Sequence, residues 1–365
     1  SRKTKRKRNN RIPIKDIAAE VGVSAITVSK ALNGKNQVSE KTRARIIETA
    51  RRMDYRPNLN AKSLVRKEIH IACVYPKEPF EFYSYVKDGV NMAEKELLDS
   101  KCRVSYYEYS SLDSVGEVRD CLMQIEKEKV DGILLTSNHN YREYVDVLRR
   151  ITESGCAVLY NTIFGEFIEG VIGGIGLNAY MAGQIAADFH NIGKTMLPEG
   201  KTWKTVIFVG NKNVSTHHDC IEGYRSRAKL HGIELLETYE TNEDRNIAYY
   251  LTGKVLQNFP DLNGIYVSSY NALGVCEWLK EHNAQNRVLT IGHDLYPALN
   301  TMIESGCLKA TLFQNQYEYG RKGMHLLFEY LVGLRRKEEC RVFQTPQIVL
   351  PGMLSAFPRY GIREP

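Results

Sequence analysis

A chain of 365 residues is too long for one ordinary compact domain, and 43% apolar with 10% aromatic content is ample for buried cores, which excludes a disordered protein. No apolar run approaches the roughly 18 residues of a membrane span, and no hydrophobic stretch follows the basic start from Ser1 to Arg11, so a cytoplasmic protein without a membrane partner is expected. The net charge of +7 is unevenly placed: residues 1–70 carry +13 and the rest −6, so one end suits phosphate neutralisation and the remainder another task.

Behind a basic arm (1–11), Ile14 to Val21 reads as a short helix, with Ile17 and Val21 four apart and Ala18 beside them. Gly22 breaks it, and Ser24 is placed to cap a second helix from Ala25 to Asn33 whose inner stripe is Val28 and Leu32. Asn33-Gly34 supplies turn residues at its end. A third helix fits Glu40 to Met53, capped by Ser39, with Ile46, Ile47, Ala50 and Met53 facing inward. Three short helices with a tight glycine turn describe a helix-turn-helix headpiece at 12–57. A three-helix bundle for protein contact would share the spacing, but the charge favours double-stranded DNA. In a major groove the second helix would present Ala25 and Ile26 to thymine methyls, with Thr27, Ser29 and Lys30 reaching phosphates or base edges, and Ser24 and Asn33 at its two ends.

Pro57 stops the third helix region, and Asn58 and Asn60-Ala61-Lys62-Ser63-Leu64, flanked by Arg56 and Arg66, form a segment (58–67) that suits a minor-groove wedge; a solvated linker is the alternative. From Ile69 onward apolar strands alternate with amphipathic helices, the pattern of a parallel α/β fold. Strands are expected at His70–Pro76, Arg103–Tyr107, Gly132–Thr136, Ala157–Tyr160, Val206–Gly210, Gly264–Ser268, Val288–Gly292 and Leu308–Phe313. Helices fall between them, among them 83–98, 141–154, 179–190, 219–231 and 317–332. The doubled run implies two lobes with a ligand cleft at the strand ends. Lobe 1 would span about 68–177 and 316–343, and lobe 2 about 178–315 and 344–365.

Eight cysteines stand singly, without a C-x-x-C pair, so neither a zinc module nor a disulfide framework is suggested. His217-His218-Asp219 offers metal-ligand types, but adjacent histidines on a helix point apart. Gly173-Gly174-Ile175-Gly176 lacks the downstream glycine and acid of a dinucleotide fingerprint and is expected where the chain crosses between lobes. Asn138-His139-Asn140 reads as a strand-to-helix loop. With no nucleophile–base signature, no enzyme, no cofactor and no metal is expected.

The string from Ile14 through Asp16-Ile17-Ala18-Ala19-Glu20-Val21-Gly22-Val23-Ser24 to Thr27-Val28-Ser29-Lys30-Ala31-Leu32-Asn33-Gly34 closely resembles the headpiece of the lactose-repressor (LacI/GalR) family. Val38-Ser39-Glu40, Thr42-Arg43 and Tyr55-Arg56-Pro57-Asn58 continue the likeness, and 60–64 is similar to that family's hinge helix. The resemblance implies that Asn58, Ala61 and Leu64 contact DNA, Leu64 wedging into the minor groove at the centre of the site. It implies a sensor similar to the periplasmic sugar-binding fold, especially its ribose-binding branch.

On that likeness Phe82 and Tyr83 match paired aromatics that stack on a sugar, Asp294 in Gly292-His293-Asp294 accepts from sugar hydroxyls, and Gln314 in Ala310-Thr311-Leu312-Phe313-Gln314 lines the cleft. The chemistry suits polyols: aromatic faces cover the apolar side of a sugar ring while carboxylates and amides pair its hydroxyls. The pattern also departs. His218 stands where an arginine precedes Glu222-Gly223-Tyr224, which disfavours an anionic ligand. An Asn/Asp position falls on Asn161 or Thr162, with Asn161 taken as the candidate, and Ser268-Ser269-Tyr270-Asn271 replaces an N-D motif, with Ser268 in the cleft.

The expectation is an all-α helix-turn-helix headpiece on a two-lobed α/β domain with parallel sheets: a transcriptional regulator, in the repressor sense, gated by a carbohydrate effector. A homodimer would read a pseudo-palindromic operator; no heptad tail follows Pro351, so a coiled-coil tetramer is not expected. Gating by a partner protein, or an α/β enzyme with a DNA-targeting headpiece, remain the alternatives.

Overall fold

The computed structural model describes residues 13–32, 38–53, 67–136, 141–162 and 167–360. At the N-terminal end, α1 (Ile14–Val21), α2 (Ala25–Leu32) and α3 (Glu40–Arg52) enclose a small core of Ile17, Val21, Val28, Ala31, Ile46 and Ala50. Gly22 ends α1 at φ 72°, in the left-handed region, with its N–H bonded to the Ala18 carbonyl. Glycine takes that conformation without a Cβ clash, so the turn between α1 and α2 stays short. The inner stripe of α2 is Val28 and Ala31, three apart; Leu32 only flanks the core, and Ile47 of α3 is half-buried.

The remainder forms two six-stranded sheets. In chain order, lobe 1 carries β1 (Ile69–Pro76), α4 (Phe80–Leu97), β2 (Cys102–Tyr109), α5 (Val115–Glu128), β3 (Gly132–Leu135), α6 (Val145–Glu153), β4 (Ala157–Thr162) and β5 (Val171–Leu177). Lobe 2 follows with α7 (Ala179–Lys194), β6 (Trp203–Val209), α8 (Ser215–His231), β7 (Ile233–Glu240), α9 (Arg245–Asn258), β8 (Gly264–Val267) and α10 (Ala272–Glu281). It continues through β9 (Leu289–His293), α11 (Pro297–Glu304) and β10 (Ala310–Phe313). The chain then returns to lobe 1 for α12 (Gln316–Leu331) and β11 (Arg341–Gln344), and ends in lobe 2 with β12 (Gln347–Val349) and a 3-10 segment, Pro351–Ala356.

Strand order is β11-β5-β4-β3-β1-β2 in one sheet and β12-β10-β9-β8-β6-β7 in the other. Every pairing is parallel except the edge pair β10–β12. Fully buried parallel strands read as continuous apolar runs, which is why β1, β3 and β8 stand out in the sequence. β5 does not: its run Val-Ile-Gly-Gly-Ile-Gly-Leu is a buried strand of lobe 1, and not itself the crossing. A Cβ on Gly173 would lie 2.2 Å from the Cys340 carbonyl oxygen, so the missing side chain lets the chain approach Cys340; the crossing follows at Asn178.

Each lobe is built on one tight helix pair. A Cβ on Gly89 of α4 would meet the Tyr317 carbonyl at 1.9 Å, and one on Gly320 of α12 the Val86 carbonyl at 2.0 Å. In lobe 2, Gly183 of α7 and Gly223 of α8 would meet the Cys220 and Tyr180 carbonyls, each at 2.0 Å. Such crossings bring backbones to contact and hold the helices that face the cleft in fixed register.

Candidate functional site: a capped recognition helix and an interlobe cleft

In the headpiece, Ser24 Oγ accepts the Thr27 N–H at 3.1 Å and pairs with the Thr27 hydroxyl at 2.8 Å, so Ser24 caps α2 and Thr27 braces the cap. Ser39 does the same for α3 through Thr42 N–H at 3.3 Å. Ala25 packs against the headpiece core, while Ile26 is 68% exposed, the most solvent-facing apolar side chain of α2. Ser29 and Lys30 are half-buried on the same helix. Asn33, Asn58, Ala61 and Leu64 lie outside the described residues.

The cleft opens between the sheets at the carboxyl ends of their strands, where doubly wound folds place ligands. Lobe 1 contributes Pro79, Phe82, Tyr83, Leu112 and Thr162; lobe 2 contributes His217, Glu243, Ser268, Ser269, Tyr270, His293, Asp294 and Gln314. Phe82 and Tyr83 open α4 and meet edge to face, with ring centroids 4.9 Å apart. Opposite them, Tyr270 stacks on Tyr296 at 4.5 Å, so the walls on both sides are aromatic.

Asp294 forms the polar floor. It follows β9 in the left-handed region (φ 75°), its N–H bonds to the Leu312 carbonyl, and the Thr311 hydroxyl donates to its carbonyl at 2.7 Å. Its Oδ1 accepts from Gln314 Nε2 at 2.7 Å and from Gln316 Nε2 at 2.5 Å. Tyr319 donates to Gln314 Oε1 at 3.1 Å, which fixes that amide's orientation. Glu243 lies in the turn after β7, where Asn242 and Glu243 both have positive φ. Asn271 Nδ2 reaches its Oε2 at 3.3 Å and His217 Nε2 lies 3.4 Å from its Oε1. A Cβ on Gly210 would stand 1.8 Å from that same oxygen, so glycine there makes room for the carboxylate.

Burial decides the charge states. It pushes the Asp294 carboxyl up to about 7, which the Gln314 hydrogen bond opposes and the Glu243 charge reinforces. Burial likewise pushes Glu243 up to about 7. His217 and His293 are pushed down by burial, His293 to about 3, so both rings are neutral near pH 7. The Tyr266 phenol and the His293 ring share a hydrogen bond at 2.8 Å.

Of the residues proposed from sequence, Phe82, Tyr83, Ser268, Asp294 and Gln314 meet in this cleft. Two do not. His218 points outward, its side chain 63% exposed and 3.5 Å from Asp219; its neighbour His217 lines the cleft. The reason is helical period: Cys220, Ile221, Tyr224 and Ala228 are the buried face of α8, and 217 falls seven before 224 on that face. Asn161 is buried in β4 with its Oδ1 unpaired, and the cleft takes the next residue, Thr162. Glu243 was missed because β7 was not read as a strand; Ile233–Glu240 places the following turn at the cleft rim. Tyr270, in the altered 268–271 motif, was missed as a lining residue.

A helical DNA-reading headpiece joined to a two-lobed cleft defines the class: a regulator whose DNA-binding end is coupled to a ligand sensor. Residues 13–58 match the bacterial regulatory proteins of the lacI family, and residues 71–335 match the periplasmic binding protein domain. The chain belongs to the LacI family of DNA-binding transcriptional regulators, with a periplasmic-binding-protein sensor. It is 23% identical over 355 residues to catabolite control protein A of Staphylococcus epidermidis, covering 93% of this chain and 96% of that protein. Among solved structures, GanP, a glucose-galactose binding protein from Geobacillus stearothermophilus, matches with a TM-score of 0.68 at 21% identity, covering 79% of this chain and 99% of that one. A solute binding protein from Agrobacterium vitis bound with α-D-tagatopyranose matches at TM-score 0.70 and 19% identity, covering 81% and 100%.

Proposed function

We propose that this regulator represses transcription as a homodimer on a pseudo-palindromic operator, and that a carbohydrate-like effector in the interlobe cleft governs its grip on DNA. The observation that carries the effector reading is the convergence of the Asp294–Gln314–Gln316 carboxylate–amide cluster with Phe82 and Tyr83 from the other lobe. That pairing of hydroxyl-binding groups with aromatic walls suits a polyol ring, and the structurally similar glucose-galactose binding protein and the protein bound with α-D-tagatopyranose support it.

In this reading α2 enters the major groove, with Ile26 facing the bases and the capped N-terminus of the helix toward a phosphate. Segment 58–67, with Asn58, Ala61 and Leu64, connects the headpiece to β1, and Leu64 wedges the minor groove of the bound operator. Effector closes the lobes and biases the two headpieces between states of different DNA affinity. A thermal-shift screen of neutral and amine-bearing sugars, followed by operator anisotropy with and without each hit, tests the reading. Sugars that raise the melting temperature yet leave operator affinity unchanged would overturn it.

A further inference from the structure

The cleft has a charge imbalance that a neutral sugar would leave unresolved. Glu243 and Asp294 both line it, and among the described residues no Lys or Arg side chain does. The two undescribed segments inside the sensor, 137–140 and 163–166, contain no Lys or Arg either. The two histidines that line the cleft are held neutral by burial. Without a counter-ion both carboxyls resist ionisation, and each is sensitive to the other's charge or to a further acid: Asp294 to Glu243, and Glu243 to Asp113. Asp294 is only 3% exposed, and a carboxylate so buried is normally paired, because desolvation without a partner is costly; Glu243 stands at the rim with its side chain about one-third exposed (32%).

A second observation points to a ligand in the same place. Ser269 is 4% exposed, lines the cleft, and its hydroxyl has no partner in the protein. Buried hydroxyls are rarely left unbonded, so this one is available to a guest. The donors inside the protein already converge on Asp294 Oδ1, from Gln314 and Gln316, while no described residue donates to Oδ2. On the Glu243 side the Tyr270 backbone N–H supports the carboxylate, while Asn271 and His217 stand off at 3.3 and 3.4 Å, at the long end of hydrogen bonding. The aromatic walls, Phe82, Tyr83 and Tyr270, offer ring faces or edges around the same space, and ring faces attract cations.

We propose that the effector is a polyol bearing a protonated amine, an amino sugar, whose ammonium group is held by Glu243 and Asp294 while its hydroxyls engage Gln314 and Ser269. The inference rests on the reading of this cleft as the effector site and adds the charge of the effector. It also excludes phosphorylated and uronic sugars, whose charge would add to that of the carboxylates.

The test is calorimetric titration of the full chain at pH 7 in moderate salt with matched sets: glucosamine, glucose, N-acetylglucosamine and glucosamine 6-phosphate, and the corresponding galactose and mannose sets. 1,4-Diaminobutane serves as an amine without a sugar. The expected result is that in at least one set the free amine binds about tenfold or more tighter than both neutral members. Glu243→Gln, which preserves an acceptor for Asn271, should then narrow that preference to about threefold or less. A neutral or phosphorylated sugar binding as tightly as its amine overturns the inference and leaves the sugar reading standing. Diaminobutane binding with no response to any sugar overturns the sugar reading and with it the amino-sugar assignment, keeping only the cationic site. Absence of binding by every amine up to about 10 mM overturns the inference outright.

Discussion

The phenol of Tyr270 in lobe 2 donates a 2.7 Å hydrogen bond across the cleft to Glu81 Oε2 at the start of α4 in lobe 1. Tyr270 is held for that contact: its ring stacks on Tyr296, and the Tyr296 hydroxyl donates to the Tyr270 carbonyl at 3.1 Å. The bond therefore links the two lobes beside the ligand-binding space, where Tyr85 of α4 also packs on Tyr360 of lobe 2 with ring centroids 4.4 Å apart.

Removing either partner should loosen the closed state. Glu81 is exposed and Tyr270 half-buried, so solvent screens the interaction and a coupling of about 0.5–1 kcal/mol is expected. A double-mutant cycle of Tyr270→Phe and Glu81→Ala, read by chemical denaturation, measures it. Strictly additive single effects would show that the two groups do not cooperate.

The glycine crossings should be intolerant of a single methyl. Gly183→Ala sets its Cβ against the Cys220 carbonyl and Gly89→Ala against the Tyr317 carbonyl, both backbone atoms that cannot rotate away. Overpacking of this kind costs about 1–3 kcal/mol. Gly116 in α5, with nothing within 4 Å of a built Cβ, is the matched control; alanine there should be neutral or stabilise by up to about 1 kcal/mol. Equal midpoints in urea for all three variants would contradict the close-contact account.

Those crossings also show what the sequence made legible. Gly22 and Ser24 announced the headpiece turn and the α2 cap because each acts through its own neighbours, one by conformation and one by a side-chain bond three residues on. The apolar runs of β1, β3 and β8 announced parallel strands for the same local reason. Glu243 could not be found that way. It reaches the cleft through a turn after an edge strand whose face alternates weakly, and its partners, His217 and Asn271, come from α8 and the turn before α10. His217 and His218 differ only in helical phase, which the buried Tyr224 sets and a motif alignment does not.

Acid–base behaviour gives a third expectation. Burial pushes the Asp294 carboxyl up to about 7 in the folded protein, against about 4 in an unfolded chain. Between those values the folded state holds the extra proton, so this group's stabilising contribution is full below about pH 4 and is lost as pH rises through about 7. Glu243 acts in the same direction, more weakly because its side chain is about one-third exposed (32%). The neutral His217 and His293 act oppositely, so the comparison must be differential. Asp294→Asn keeps an acceptor for Gln314 and Gln316 without the charge. The melting temperature of the variant relative to wild type should therefore rise by several degrees between pH 5 and pH 8, from a contribution of about 2–4 kcal/mol. A constant difference across that range would show that Asp294 is not buried as described.

The headpiece expectation separates sequence reading from charge. Ile26 is exposed on α2 with no core to fill, while Ala25 beside it is packed, so Ile26 is the apolar side chain free to meet a thymine methyl. Ile26→Ala removes three carbons from that contact; half-burial of them on DNA amounts to about 1 kcal/mol per half-site, or roughly thirtyfold over two. The change carries no charge, so binding to unrelated DNA and the slope of log K against log[salt] should not move. Deleting residues 2–8, which are mostly Lys and Arg, should do the reverse: a flatter salt slope with specificity retained. Both variants are compared with wild type by anisotropy, on an operator chosen by in vitro selection and on a scrambled duplex, at several salt concentrations. If Ile26→Ala weakens both duplexes equally, the residue supports the headpiece fold and does not read bases; if the deletion leaves the slope unchanged, the arm does not touch phosphates.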